Sequence, residues 1–205
     1  MKKLVLPLLF ILAAFLFAGC GGDGSDDSKA KETMRHLKKT DRVTLKQQDV
    51  EEGASYVFTF NETNIPVADT DKTIICEVNE AAPFFGGESL GDWNYFKTVQ
   101  LDDGSICDIG GNLNEEGVLE AEYTNLLCPA ELEIGTAWTD NGTTCVVTDF
   151  QFVCDDDSDA YGAFLVESTG AVTSKVWWSA KEIGFPVKCI YDGVSLKIAK
   201  YEDDI

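Results

Sequence analysis

The stretch FPVKCIYDGVSLKIAKY, residues 185–201, predicts two antiparallel strands joined by a tight turn. Asp192-Gly193 fits a two-residue type I′ turn, the connection that best matches the twist of neighbouring strands. Pairing across this turn places the apolar side chains on one face: Val187, Cys189, Tyr191, Val194, Leu196 and Ile198. The opposite face carries Lys188 and Lys197, so one face is predicted to join a core and the register is well specified.

Similar strand patterns continue upstream of this hairpin. The two-residue turn at Asp192-Gly193 places Cys189 opposite Leu196. A second two-residue turn, predicted at Asp103-Gly104, places Gln100 opposite Cys107. Further candidate strands, rich in β-branched and aromatic residues, span 55–60, 72–78, 93–101, 105–109, 118–124, 143–149, 151–154, 161–168 and 172–179. The sequence therefore predicts an all-β domain, a curved antiparallel sheet that forms a half-barrel or closes into a barrel or sandwich.

Two adjacent tryptophans lie in the stretch VWWSAKEIGFPVK, residues 176–188. On a strand, Trp177 and Trp178 point to opposite faces, so one is predicted to join the core and the other is exposed or covered. We consider both as candidate ligand-facing aromatics, with ordinary burial as the alternative. Gly184 and Pro186 suit a turn and a strand start, so the stretch is predicted to connect two strands of a meander.

The N-terminus has the features of an export signal. The first nineteen residues, MKKLVLPLLFILAAFLFAG, carry two lysines and then an apolar run shorter than a typical membrane span. The following Cys20 completes a segment that resembles a bacterial lipobox, which implies cleavage before Cys20 and attachment of diacylglycerol and fatty acids such as palmitate. The alternative is an ordinary signal peptide whose Cys20 joins a disulfide. By the same resemblance, Gly21 suits sorting to the outer membrane, on its periplasmic or its surface-facing side.

This pattern divides the chain into three predicted parts. Residues 1–19 are the signal peptide, residues 20–52 a lipidated flexible tether, and residues 53–205 the β domain. The tether contains a basic segment, residues 29–46, with seven Lys and Arg against two acidic residues. We expect this segment to lie on anionic headgroups. Two alternatives stay open, that it folds back onto the acidic domain or that it is a solvated helix.

The remainder of the chain is strongly acidic. Residues 47–205 hold seven basic and 31 acidic residues, a balance of −24, within a total net charge of −20. Such a domain repels polyanions, so a nucleic-acid partner is excluded.

Seven cysteines become six once Cys20 is assigned to lipid. An exported domain with six can form three disulfides, and the spacing of Cys145 and Cys154 suits a bridge across a hairpin. No pairing is assigned to the others, which are Cys76, Cys107, Cys128 and Cys189. The absence of a C-x-x-C step argues against a thioredoxin-like redox pair or a zinc knuckle.

The inventory of catalytic groups is poor. Gly87 to Gly91 spells G-x-S-x-G, but the sole histidine, His36, lies upstream of it, so a nucleophile elbow lacks its base. Asp155, Asp157 and Asp159 could hold calcium, or form a solvated acidic turn. We therefore expect no cofactor and no enzyme; a carboxylate pair acting on carbohydrate is the one catalytic alternative.

Three C-terminal segments carry a family resemblance: LCPAELEIGTAWTD (127–140), YGAFLVEST (161–169) and KVWWSAKEIGFPVKCIYDG (175–193). In the order and spacing of their residues, they are similar to bacterial envelope lipoproteins that look related to Lol-type carriers. In those carriers a curved antiparallel sheet wraps an apolar cavity. The lipobox-like segment and the lack of catalytic groups favour a lipid-anchored envelope protein that binds a protein partner or a small ligand without catalysis, and the resemblance adds this fold class. The alternative that it implies is a carrier of lipid or another apolar ligand inside the sheet.

Overall fold

The computed structural model describes residues 31–48, 53–63, 73–78, 89–90, 93–113, 119–171, 173–191 and 193–203, without the side chains of 61–99 and 108–124. These residues form fifteen strands and no helix. The strands are β1 Glu32–Thr33, β2 Arg42–Gln47, β3 Ser55–Thr63, β4 Thr73–Val78, β5 Ser89–Leu90, β6 Trp93–Gln100, β7 Ile106–Leu113, β8 Leu119–Cys128, β9 Glu131–Leu132, β10 Ala137–Asp140, β11 Thr143–Cys154, β12 Ala160–Gly170, β13 Ser174–Ser179, β14 Phe185–Tyr191 and β15 Val194–Glu202. The predicted all-β class is confirmed.

Two meanders of six strands build the main sheet. One runs β2-β3-β4-β6-β7-β8 and the other β10-β11-β12-β13-β14-β15, and all described pairs are antiparallel. The pairing of β15 with β2 joins the two meanders, for example where Ile198 lies opposite Leu45. The short β5 adds to β6, and β1 pairs separately with β9. Within each meander every strand thus pairs with the next one along the chain, apart from the short β5 between β4 and β6.

The two ends of this strand order, β8 and β10, meet through side chains. The indole Nε1 of Trp138 on β10 donates to the carbonyl of Leu126 on β8 at 3.1 Å, and the Leu126 amide donates to the Asp140 carboxylate. Among the described residues no backbone ladder joins β8 to β10, so the sheet is curved but not closed into a barrel. We call this contact the seam.

The C-terminal hairpin has the predicted register. Cys189 pairs with Leu196 and Tyr191 with Val194, while Lys188 lies opposite Lys197. The alternation of apolar and polar residues therefore decides which face is inside. The inner face is filled by buried side chains: Val43, Leu45, Tyr56, Phe58, Phe60, Phe164, Val166, Val176, Trp178, Phe185, Val187, Cys189, Leu196 and Ile198.

Aromatic contacts fix the middle of this core. The ring of Phe185 lies 5.3 Å from that of Phe58 and 5.1 Å from that of Phe60, in tilted and edge-on arrangements. All three side chains are fully buried. Edge-on pairs at such distances add to the free energy that burial of the rings contributes. The core thus holds β14 against β3 across the β15–β2 junction.

The prediction of a flexible tether over 20–52 is wrong for residues 31–48, which the structure describes. Arg42–Gln47 forms β2, a central strand with Val43 and Leu45 fully buried. The domain therefore begins at or before Lys31 rather than at residue 53. Of the alternatives for the basic segment, its folding back onto the acidic domain is the one that the structure bears out for residues 31–46, and these residues form no helix.

The first predicted hairpin has a wider turn than expected. Gln100 pairs with Ile106 and Val99 with Cys107, so the register differs by one residue from the predicted pairing of Gln100 with Cys107. A five-residue loop takes the place of the two-residue turn. The Asp103 carboxylate accepts from both the backbone amide and the hydroxyl of Ser105, which stabilises this wider loop.

Candidate functional site

Residues 31–41, which we call the strap, lie across one end of the curved sheet. The Met34 amide donates to the Ala130 carbonyl and the Arg35 amide to the Ala180 carbonyl, both at 2.7 Å. These acceptors belong to the connections that follow β8 and β13. The side chain of Met34 is 1% exposed, so it completes the core from that end. The strap thus closes one end of the sheet.

A buried ion pair fixes the strap. Arg35 Nη1 donates to the Asp41 carboxylate at 2.7 Å and to the Ile183 carbonyl at 3.1 Å. The Asp41 side chain is fully buried and also accepts from the Lys38 amide at 2.9 Å. Burial opposes the charged form of Arg35, yet the hydrogen bond to Asp41 leaves the pKa of the guanidinium raised. The Arg35 guanidinium is therefore charged, and both Asp41 oxygens accept hydrogen bonds, as a buried ion pair requires.

Tyr201 extends the network. Its hydroxyl lies 3.4 Å from the Asp41 carboxylate, and Arg35 stands over its ring at 5.8 Å. Burial, with the negative charge of Asp41 next, raises the pKa of Tyr201 to about 12. The phenol is thus uncharged in the folded protein near neutral pH.

A buried amide joins the strap to the turn between β6 and β7. Gln100 is 3% exposed; its Oε1 accepts from the Leu37 amide at 2.8 Å. Its Nε2 donates to the carbonyls of Arg35 and Gly104, at 3.0 and 3.1 Å. Nothing in the sequence distinguishes this glutamine from an exposed one, because its partners are 4 to 65 residues away. The buried contacts of Gln100 therefore could not be predicted from the sequence.

The two tryptophans lie on opposite faces, as predicted, and neither is presented to solvent. Trp178 is 3% exposed on the inner face and pairs with Phe164 on β12. Trp177 is 5% exposed on the outer face, where its Nε1 donates to Gln151 Oε1 at 2.9 Å. The alternative of ordinary burial therefore holds for both. The prediction of a ligand-facing tryptophan is wrong in this structure, because neighbouring side chains cover each ring.

The outer face beside Trp177 carries basic residues in register. Trp177 pairs with Lys188 on β14, Lys188 pairs with Lys197 on β15, and Lys197 pairs with Lys46 on β2. We call Lys188, Lys197 and Lys46 the lysine ladder. All three side chains are half-exposed, and the Lys188 ammonium stands 4.4 Å above the Trp177 ring. Three like charges thus lie side by side on adjacent strands.

The predicted calcium site is not formed. Asp155 is 6% exposed, and its carboxylate accepts from the amides of Asp157 and Asp159 at 3.0 and 2.9 Å and from the Tyr161 hydroxyl at 3.0 Å. Asp157 and Asp159 themselves are exposed. In the part of the chain that the structure describes, no group of acidic, His or Cys side chains could hold a metal. The Asp155 carboxylate instead stabilises the turn of residues 155–159 by accepting hydrogen bonds from its backbone amides.

The predicted disulfide between Cys145 and Cys154 is wrong. Both cysteines lie on β11, nine residues apart, which is about 30 Å along an extended strand. The thiols of Cys128, Cys145 and Cys189 are free, so the predicted set of three disulfides is not formed. Cys154 is disulfide-bonded, but not to any of these. Cys20 lies outside the described residues, and the side chain of Cys76 outside the described side chains.

Thiol labelling at mildly alkaline pH can test these assignments. Burial raises the pKa of Cys189 to about 12 and that of Cys128 well above its usual value. Burial and then the charge of Asp140 also raise the pKa of Cys145, which is only half-buried. We expect a maleimide to label Cys145 first in the native protein, and the other two only after unfolding. Resistance of Cys145 to labelling after unfolding, reversed by a reductant, would instead identify a disulfide there.

Two features thus stand out in the described part of the chain. One is the end of the sheet that the strap closes, and the other is the lysine ladder. That part holds no helix with the length and apolarity to cross a membrane. The chain matches no family model, no curated protein and no solved structure at a significant level.

Proposed function

We propose that the protein is a bacterial envelope lipoprotein, anchored through lipid on Cys20, with a non-enzymatic binding or structural role. The observation that carries this proposal is the position of the strap. The described fold begins at Lys31, eleven residues after the lipobox-like cysteine. Eleven residues reach at most about 40 Å, so a lipid on Cys20 would hold the domain within that distance of a bilayer. That is the geometry that an anchored domain requires.

The packed core supports a role for the outer surface rather than for the interior. Met34 and Leu37 of the strap are buried against the inner face, and Phe185 packs on Phe58. The alternative, a carrier of an apolar ligand, needs a cavity along this face. The described inner face instead holds side chains in mutual contact, which favours a binding partner on the outside, such as an envelope protein.

Intact mass of the detergent-extracted protein tests the anchor. After expression in a Gram-negative bacterium, we expect a mass that lacks residues 1–19 and carries acyl chains on Cys20. The Cys20→Ala variant should carry none, because it offers no thiol to the lipid. Wild-type protein with a free Cys20, or with residues 1–19 retained, would contradict the proposal.

Native mass spectrometry separates the binding role from the carrier. The mature chain, residues 20–205 with Cys20→Ser, should give the mass of the polypeptide alone after extraction from cells. A lipid that co-purifies in equal amount with the chain would favour the carrier instead. Turnover in a polysaccharide-hydrolysis screen would favour the carbohydrate-active enzyme.

A further inference from the structure

The lysine ladder stands out because its charges lack carboxylate partners among the described residues. Neighbouring lysines on the same outer face are paired: Lys175 with Glu167 at 2.6 Å, and Lys200 with Glu202 at 2.7 Å. The three ladder lysines make no such contact within the part of the chain that is described. Counted over the described residues, the charge around the ladder is therefore positive.

This positive face is exceptional for the chain. Only seven basic residues follow residue 46, and five of them lie between 175 and 200. Like charges directly opposite each other on neighbouring strands destabilise a sheet. Natural sequences break such local rules mainly at functional sites, where another interaction compensates. The ladder thus indicates an anionic partner that the described residues do not supply.

The chemistry of the ladder favours a surface over a discrete anion. Lysine presents a flexible point charge, whereas specific bidentate capture of one phosphate or carboxylate is the property of arginine. The ladder contains no arginine and lies on the outer side of a curved sheet, where a broad surface can approach. Beyond a Debye length of about 8 Å the acidic remainder of the domain is screened from that surface.

We propose that the lysine ladder binds the phosphate headgroups of an anionic phospholipid bilayer and lays this side of the sheet against it. The bilayer is the one that holds the anchor, so in the cell the inference rests on the proposed function. Tethering raises the effective concentration of headgroups at the ladder, so that weak attraction by three charges is sufficient.

Vesicle flotation with a chain that carries no lipid tests the ladder independently of the anchor. The mature chain with Cys20→Ser is mixed with vesicles of phosphatidylcholine, with or without phosphatidylglycerol. We expect binding to the anionic vesicles alone, weakening as salt is added. Changing Lys46, Lys188 and Lys197 to Gln should weaken it about 100-fold, since each lysine near the surface contributes a factor of about five.

A control variant loses the same number of positive charges at a different place on the domain. Lys38, Lys39 and Arg42 are exposed at the strap end, and changing these three to Gln removes the same charge. We expect this control to lose less than about fivefold. Equal losses in the two variants would overturn the ladder as the site, as would the absence of wild-type binding to anionic vesicles at low salt. Either result would leave the acylation of Cys20 untouched.

The thermal midpoint of unfolding distinguishes a binding role of the ladder from a purely structural one. Lys197 lies between the other two ladder lysines, so Lys197→Gln relieves both repulsions. We expect a small rise in thermal midpoint, larger at low salt, together with weaker vesicle binding. A fall in the midpoint would show that the ladder stabilises the sheet and would contradict the proposal.

Discussion

Replacing Asp41 with alanine is expected to lower the free energy of unfolding by about 3–5 kcal/mol. The substitution leaves the Arg35 guanidinium partly buried without its counter-charge, and removes the acceptor of the Lys38 amide. Because these contacts hold the strap, we expect the loss to include detachment of the closed end. Urea unfolding followed by tryptophan fluorescence measures the change.

An exposed ion pair of the same strap is the matched control. Lys31 contacts Glu131, and both side chains are about half exposed. Glu131→Gln should leave the unfolding midpoint almost unchanged, since exposed pairs are solvated and screened. If Asp41→Ala had no larger effect than Glu131→Gln, the strap would not be held by its buried pair.

Replacing Gly184 with alanine is expected to destabilise the protein by about 2–5 kcal/mol. Gly184 has φ +80°, a region that costs a residue with a side chain about 1–2 kcal/mol. An added Cβ would also stand 2.2 Å from the Arg35 carbonyl oxygen, so the strap would have to move, at a cost of about 1–3 kcal/mol. Urea unfolding again measures the effect.

Gly193 isolates the contribution of the strap contact. It has the same φ, +80°, but an added Cβ would meet no atom within 4 Å. Gly193→Ala therefore measures only the cost of placing a side chain at positive φ. We expect it to lower the free energy of unfolding by about 1–2 kcal/mol. If Gly184→Ala lowered the free energy of unfolding no more than Gly193→Ala, the strap would not be in close contact with Gly184.

The parts of the fold that could be predicted from sequence have local signals. Alternation between apolar and polar residues fixed the register of β14 with β15, and Trp177 and Trp178 were assigned correctly to opposite faces. β2 carries the same alternation, with Val43 and Leu45 buried. Its arginine and lysine, Arg42 and Lys46, continue the basic segment and so favoured a tether, although basic residues are compatible with an outward face.

The candidate site depends on contacts between distant parts of the chain. The pairing of Lys197 with Lys46 joins strands about 150 residues apart, so only the Lys188–Lys197 step could be predicted. Asp41 and Gln100 are polar residues that sequence alone would place in solvent. Their burial follows from partners supplied by other loops, and no local pattern encodes such partners.

The junction of β2 with β15 also sets the order in which the protein can fold. Each meander pairs strands that are neighbours in sequence, so either can form early, whereas β2 lacks its second neighbour until β15 has been made. Closing so long a loop is entropically costly and slow. Under the proposed export with the N-terminus first, the two meanders are therefore expected to remain unjoined until β15 has crossed the membrane. Completion of the fold would then mark the end of export.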